Sequence, residues 1–275
     1  MQLTPRYGTN PIITLDGKPS DILLPVTRQR RRFAERLASF TEEQWAHPSR
    51  CAGWSNRDVV VHLDSTNSFW AFSITAGLSG KPTTFLATFD PVASPAQLVA
   101  GSQQLTSREV LDKFTASTEA LVATLDSLTE DDWSKLAEAP PGHIAVSALA
   151  HHALWDSWVH ERDVLLPLGI SPDVEADEIT AALRYGAALA PGFAVSQGRS
   201  DTGALTVATT APDTSFVVEV GDQVRVRTGS AESDLQLSGD AVDLLEAFSI
   251  RKPLEQVVPA NCQWMVDGLA KIFDN

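Results

Sequence analysis

Apolar residues recur at helical spacing from Ser20 onward. Leu23, Val26, Phe33, Leu37 and Phe40 form one stripe, with Ser20 or Asp21 as the cap. After a short TEEQW turn, Ser55-Asn56-Arg57-Asp58 reads as a capping box opening a second helix. Its inward stripe is Val59, His62, Leu63, Thr66, Phe69 or Trp70, and Ser73, so His62 falls among core positions. A loop containing KPTTF, FDP and ASPAQ separates it from a third helix. That helix is opened by Thr106-Ser107-Arg108-Glu109 and carries Val110, Phe114, Leu121, Leu125 and Leu128. The APPGH stretch breaks the chain. A fourth helix then runs from about Ala145 to Leu166, where Pro167 and Gly169 end it, with a stripe of Leu149, His152, Ala153, Asp156, Val159, His160 and Asp163. Four long helices so connected predict an up-and-down bundle, whose core can hold a metal site.

The pattern changes after a further helix from about Asp177 to Leu189. ALTVATTA, SFVVEV, QVRVRTG and SDLQLSG alternate or run β-branched between turns and predict four strands. A helix over Asp240 to Phe248 follows, and NCQWMVDGLAKIF reads as helical again. The fold class is therefore α+β: a four-helix bundle, then a small α+β domain with a mainly antiparallel sheet. Residues 1–19 are rich in turn formers without periodicity and read as a tail or a strap. Residues 20–195 form the helical domain and residues 196–275 the C-terminal one.

Composition narrows the function classes. The 275 residues are 43% hydrophobic and 20% charged, ordinary for a globular chain. Lys and Arg number 21 against 35 acidic residues, a net charge of −14, which argues against a nucleic-acid partner. The one basic cluster, Arg28 to Arg32, reads as a solvated helix face. Two distant cysteines, Cys51 and Cys262, support neither a disulfide framework nor a cysteine metal site, and no apolar stretch has the length of a signal or membrane segment. The expectation is a cytoplasmic protein with no membrane partner.

The candidate chemistry lies on two stripes. Asp156 and His160 are four residues apart, hence one above the other on a helix face, and His62 stands on another. Three protein ligands with open positions is the pattern of a catalytic metal site. A buried carboxylate needs a partner, which can equally be an Arg, and the alternative is a buried polar network without metal. His152, one turn before Asp156, adds a further metal-capable group.

Three blocks carry a resemblance. CAGWSNRDVVVHL, WDSWVHERDVLLPLG and GSAESDLQLSGDAVDLLEAFSIRKP, in that order from about residue 20 to the end, resemble the mycothiol-dependent maleylpyruvate isomerase family. The resemblance implies a DinB-like four-helix metal domain joined to a small C-terminal α+β domain. It implies a divalent ion, typically zinc, on His62, Asp156 and His160, with Asp156 standing where the family usually has the longer Glu. His152 would be a compensating ligand. It implies that Arg251, in SIRKP, acts in catalysis, the bland reading being a surface Arg at a helix end. Asp163 would orient a ligand His or pair with an Arg. Trp54, Trp70, Trp155 and Trp158 would wall a pocket or fill the core, and Cys51 is an incidental thiol by default. The implied cosubstrate is mycothiol, acting on an electrophilic small molecule by S-transfer or cis–trans isomerisation. A catalytically silent ligand-binding module and a thiol-independent metal hydrolase are the alternatives.

Overall fold

Capping boxes at Thr41, Ser55 and Thr106 start three of the helices, each with the side chain accepting from the third helical N–H and the third residue's side chain answering back. The computed structural model describes residues 3–273. Its helices are α1 (Leu23–Leu37), α2 (Glu42–Ala46), α3 (Asn56–Leu78), α4 (Ala93–Ala100), α5 (Ser107–Asp126), α6 (Val146–Leu165), α7 (Ala176–Ser196), α8 (Ala241–Phe248) and α9 (Gly268–Phe273). Helices α1, α3, α5 and α6 form the four-helix bundle.

The bundle is not up-and-down. Arg57 at the start of α3 reaches the carbonyl of Leu105 just before α5, and Asn67 in mid-α3 donates to Thr118 in mid-α5, so these two helices run parallel. The connection between them, residues 79–106, returns the chain along the bundle and contains α4, which the Pro-rich pattern had read as loop. Strands β2 (Leu136–Ala139) and β3 (Gly142–Ala145) form an antiparallel hairpin where the APPGH stretch was expected only to break the chain. Its backbone lies against α3: a Cβ on Gly77 would stand 2.0 Å from the Leu136 carbonyl oxygen. Only glycine permits that approach.

The basic cluster on α1 is a solvated face only at Arg31, which stays exposed. Arg28 pairs with Asp177 and Glu178, Arg31 with Glu119, and Arg32 with Glu161 and Glu178. Arg30 is fully buried, donating to Asn67 Oδ1 at 3.0 Å and to the Ala153 carbonyl at 2.7 Å. The facing acids lie more than 80 residues away in sequence, beyond the reach of a local pattern.

The C-terminal strands are β4 (Gly203–Thr210), β5 (Asp213–Val220), β6 (Val224–Thr228) and β7 (Leu235–Gly239). Strands β4, β5 and β6 pair antiparallel, and both edges are closed by parallel strands. One edge strand, β1 (Ile13–Leu15), comes from the aperiodic N-terminal segment, which threads across the molecule with Leu3, Ile12 and Ile13 buried. Helix α7 lies between bundle and sheet, packing on α6, β5, β6, α8 and α9. From Tyr185 to Val195 it is buried almost all round, as a stretch without a charged residue requires. It runs through Pro191 to Ser196, past its expected end at Leu189, because packing on both sides holds it. The expected helix over the last segment is a 3₁₀ turn at Gln263–Met265 and the short α9. Among the described residues no helix is long and apolar enough to cross a membrane.

Candidate metal centre

Helices α3 and α6 meet in an antiparallel seam whose rungs are polar. The His62 and His160 rings stand edge to face with centroids 5.1 Å apart, Thr66 Oγ1 donates to Asp156 Oδ2 at 3.3 Å, and Trp70 meets His152 at 4.8 Å. Helical spacing on each side generates this ladder, since 62, 66 and 70 share one face and 152, 156 and 160 share the other. One ligand atom each of His62, Asp156 and His160 lies within 4.8 Å of the others, and His160 Nε2 is 3.6 Å from Asp156 Oδ1. The residues whose faces were read from sequence converge.

Protonation follows from the surroundings. Burial lowers the His62 imidazole to about 4, against the pull of Asp156, so this ring is neutral at pH 7 and keeps a lone pair to donate. Burial opposes ionisation of Asp156, but His160, His62, His152 and Arg30 outweigh it and hold the carboxyl below its ordinary value. Burial likewise opposes a charge on His160, yet Cys51, Asp163 and Asp156 raise it well above the ordinary imidazole value. The donor set fits a divalent ion: two imidazoles and a carboxylate on adjoining faces, with the His62 ring nitrogens in no hydrogen bond among the described residues. Two nitrogens and one oxygen suit zinc and leave further positions for exogenous groups.

The layer behind these residues is fixed by α6 and the C-terminal domain. His160 Nδ1 lies 3.0 Å from Asp163 Oδ2, which assigns the proton to Nδ1 and leaves Nε2 as the ligand atom. Asp163 is fully buried and is gripped in turn by Arg251, with Nε at 2.9 Å from Oδ1 and Nη2 at 2.8 Å from Oδ2. Of the two roles open to Asp163, it has the geometry of both. Arg251 is no surface residue at a helix end, for its guanidinium also lies 3.7 Å from Cys51 Sγ. Cys51 itself sits 3.6 Å from His160 Nδ1 and 3.3 Å from Asp163 Oδ2. Thiol and carboxylate thus meet the same imidazole nitrogen, which excludes a Cys-His-Asp relay through opposite ring nitrogens. Cys51, His160 and Asp163 also cluster within 4.8 Å, but the Arg251 charge on Asp163 competes with any cation there.

His152 does not compensate for the short Asp156. Its Nδ1 is 2.9 Å from the Tyr185 hydroxyl and it lies outside the ligand cluster. Trp54 packs over His62 with ring centroids 5.4 Å apart, and Trp155 anchors its Nε1 on Ser249 Oγ at 2.9 Å. Trp158 belongs to the core, with the Arg162 guanidinium over its ring. Sequence reasoning missed Arg50 and Glu246. Arg50 and Arg162 both bind Glu246 of α8, joining the bundle to the C-terminal domain beside the site. Their only sequence signal is that Arg50 immediately precedes the CAGWS block and Glu246 lies within the block that ends in SIRKP.

Residues 26–165 match the family model of the mycothiol maleylpyruvate isomerase N-terminal domain, a span that includes all three candidate ligands. The chain belongs to the mycothiol maleylpyruvate isomerase family. A crystal structure of the mycothiol-dependent maleylpyruvate isomerase, and one of a histidine-to-alanine mutant of it, each share this fold with a TM-score of 0.59 at 15% identity. Each alignment covers 85% of this chain and 89% of the other, so the likeness in fold extends beyond the residues that match the family model. A search of curated proteins returned no match.

Proposed function

We propose that this member of the maleylpyruvate isomerase family is a metal-dependent enzyme that directs mycothiol onto an electrophilic small molecule, giving S-transfer or cis–trans isomerisation. The observation that carries this reading is the convergence of His62, Asp156 and His160, with ligand atoms within 4.8 Å, inside the span that matches the family. These three residues would hold a divalent cation, zinc by its donor preferences. When bound, the ion supplies the positive charge that favours thiolate over thiol near neutral pH. Thr66 fixes Asp156 through its hydroxyl, and Asp163 fixes the His160 ring through Nδ1, so two ligands are oriented before anything binds. The Arg251 guanidinium, steered by Asp163, faces the same region and can hold a substrate carboxylate or a developing enolate. Trp54, packed on the His62 ring, shields that side of the site from water.

The sulfur of mycothiol attacks an activated carbon. For an isomerisation it adds to the double bond, the former double bond rotates, and the same thiolate leaves. For S-transfer it displaces a leaving group, which departs with the electron pair. Both outcomes need the same residues, and a reducing cytoplasm keeps the thiol available. Metal analysis of protein purified without chelator, followed by incubation with mycothiol, an electrophile panel and mass spectrometry, tests the proposal. The expected result is about one zinc per chain and mycothiol-dependent turnover that is lost in His62→Ala. Absence of stoichiometric metal, with His62→Ala unchanged, overturns it in favour of a binding module. Turnover that needs no thiol overturns it in favour of a hydrolase.

A further inference from the structure

Helix α8 ends in a turn built against its own sequence. The Arg251 N–H returns to the Glu246 carbonyl at 2.8 Å and the Ile250 N–H to the Ala247 carbonyl at 3.1 Å, the paired bonds of a Schellman stop. The residue at the left-handed position of that stop is normally glycine. Here it is Ile250, with φ of +53°, the one described non-glycine residue at positive φ. A β-branched residue in that region is strained, and such strain persists only where the surroundings impose it. The surroundings are on both sides of the residue. The Ile250 side chain packs against the main hydrophobic core. Ser249, buried, accepts from Trp155 Nε1 at 2.9 Å, and Arg251 forks onto Asp163. Arg50 closes the turn by donating to the Arg251 carbonyl at 3.3 Å.

Trp155 immediately precedes the candidate ligand Asp156, and Asp163 follows His160 by three residues. The turn therefore grips α6 on either side of both ligands that this helix contributes. We propose that Ser249-Ile250-Arg251 is a positioning element that sets the register and rotation of the Asp156–His160 stretch, with the Ile250 side chain locking the left-handed backbone that aims Arg251 at Asp163. This rests on the metal-site reading above. Glycine at position 250 would accept the φ but leave the turn free to leave it. Valine would keep a branched apolar lock.

The test compares full-length wild type with Ile250→Gly, Ser249→Ala and Ile250→Val. Zinc affinity is read by competition with a chromophoric chelator, and solvent exchange of the Trp155 indole N–H by NMR on the metal-free protein. Ile250→Gly and Ser249→Ala are expected to weaken zinc binding about tenfold. Both should speed indole exchange about tenfold, with Tm within a few degrees of wild type. Ile250→Val should restore both readouts, which a merely structural role would not require. Zinc affinity within twofold of wild type and unchanged exchange in both disrupting variants would overturn the proposal. A wild type that binds no zinc overturns the metal reading itself, and the exchange ratio then decides whether the turn holds α6.

Discussion

Asp163→Asn is the sharpest probe of the site, because the substitution keeps the shape of the side chain and removes one buried charge. That charge accepts from His160 Nδ1 at 3.0 Å and from both prongs of Arg251, with Arg50 Nε 3.6 Å away. Removing one partner of a buried ion pair costs roughly 3–5 kcal/mol, since the other charge is left uncompensated. Arg50 keeps Glu246 and His160 keeps Asp156, so Arg251 is the charge chiefly stranded and the lower end applies, about 3 kcal/mol. For a chain of this size that corresponds to a fall in Tm of roughly 5 °C. The effect on the ion is separate. Loss of an outer carboxylate from a ligating histidine weakens metal binding roughly 10–100-fold, or about 1.4–2.7 kcal/mol. Burial opposes ionisation of Asp163, but its bonds to His160 and Arg251 hold its carboxyl well below the ordinary range. Its stabilisation is therefore present above the unfolded value near 3.9 and lost as pH falls through and below it, so the Asn variant should also be less sensitive to acid. Denaturant unfolding at pH 7 and at about pH 2.5, inside the window where the contribution is lost, with zinc competition titration at pH 7, measures all three. A variant within 1 kcal/mol of wild type that binds zinc within about threefold would refute the reasoning.

Three further outcomes follow from the same geometry. His62→Ala should weaken zinc binding by at least about 100-fold, more than any outer-layer change, whereas Asp156→Glu, which lengthens the carboxylate by one methylene, should retain a stoichiometric site by metal analysis. Burial lowers His152 to about 4, so the unfolded chain binds the extra proton between about pH 4 and 6.5 and stability rises with pH across that window. His152→Gln should lower the difference in unfolding free energy between pH 7 and pH 5 by about 2 kcal/mol, and an unchanged difference would contradict a neutral buried imidazole. Gly77→Ala forces a Cβ onto the Leu136 carbonyl oxygen and should cost about 3 kcal/mol or more in a thermal melt, although alanine is the better helix former.

The local pattern determined the helices that carry the site and which of their faces turn inward. His62, Asp156 and His160 were legible because a period of 3.6 fixes what shares a face, and because polar groups on apolar stripes need partners. Capping residues placed the starts of α3 and α5 for the same reason, each being a contact within four residues. What tertiary structure decided is whatever depends on contacts distant in sequence. The parallel course of α3 and α5, the carboxylates that absorb Arg28, Arg31 and Arg32, and the turning of His152 to Tyr185 are of this kind. So is the strand that residues 13–15 add to a sheet built from residues beyond 200. Arg251 shows the division most clearly. Its residue type and its block made it a candidate, but whether it lay at the surface or against Asp163 depended on how α8, packed on α7, places the turn after it beside α6, and on a left-handed isoleucine that no propensity favours. Sequence periodicity sets direction along one element; only packing between elements sets distance, and the chemistry of this site depends on distance.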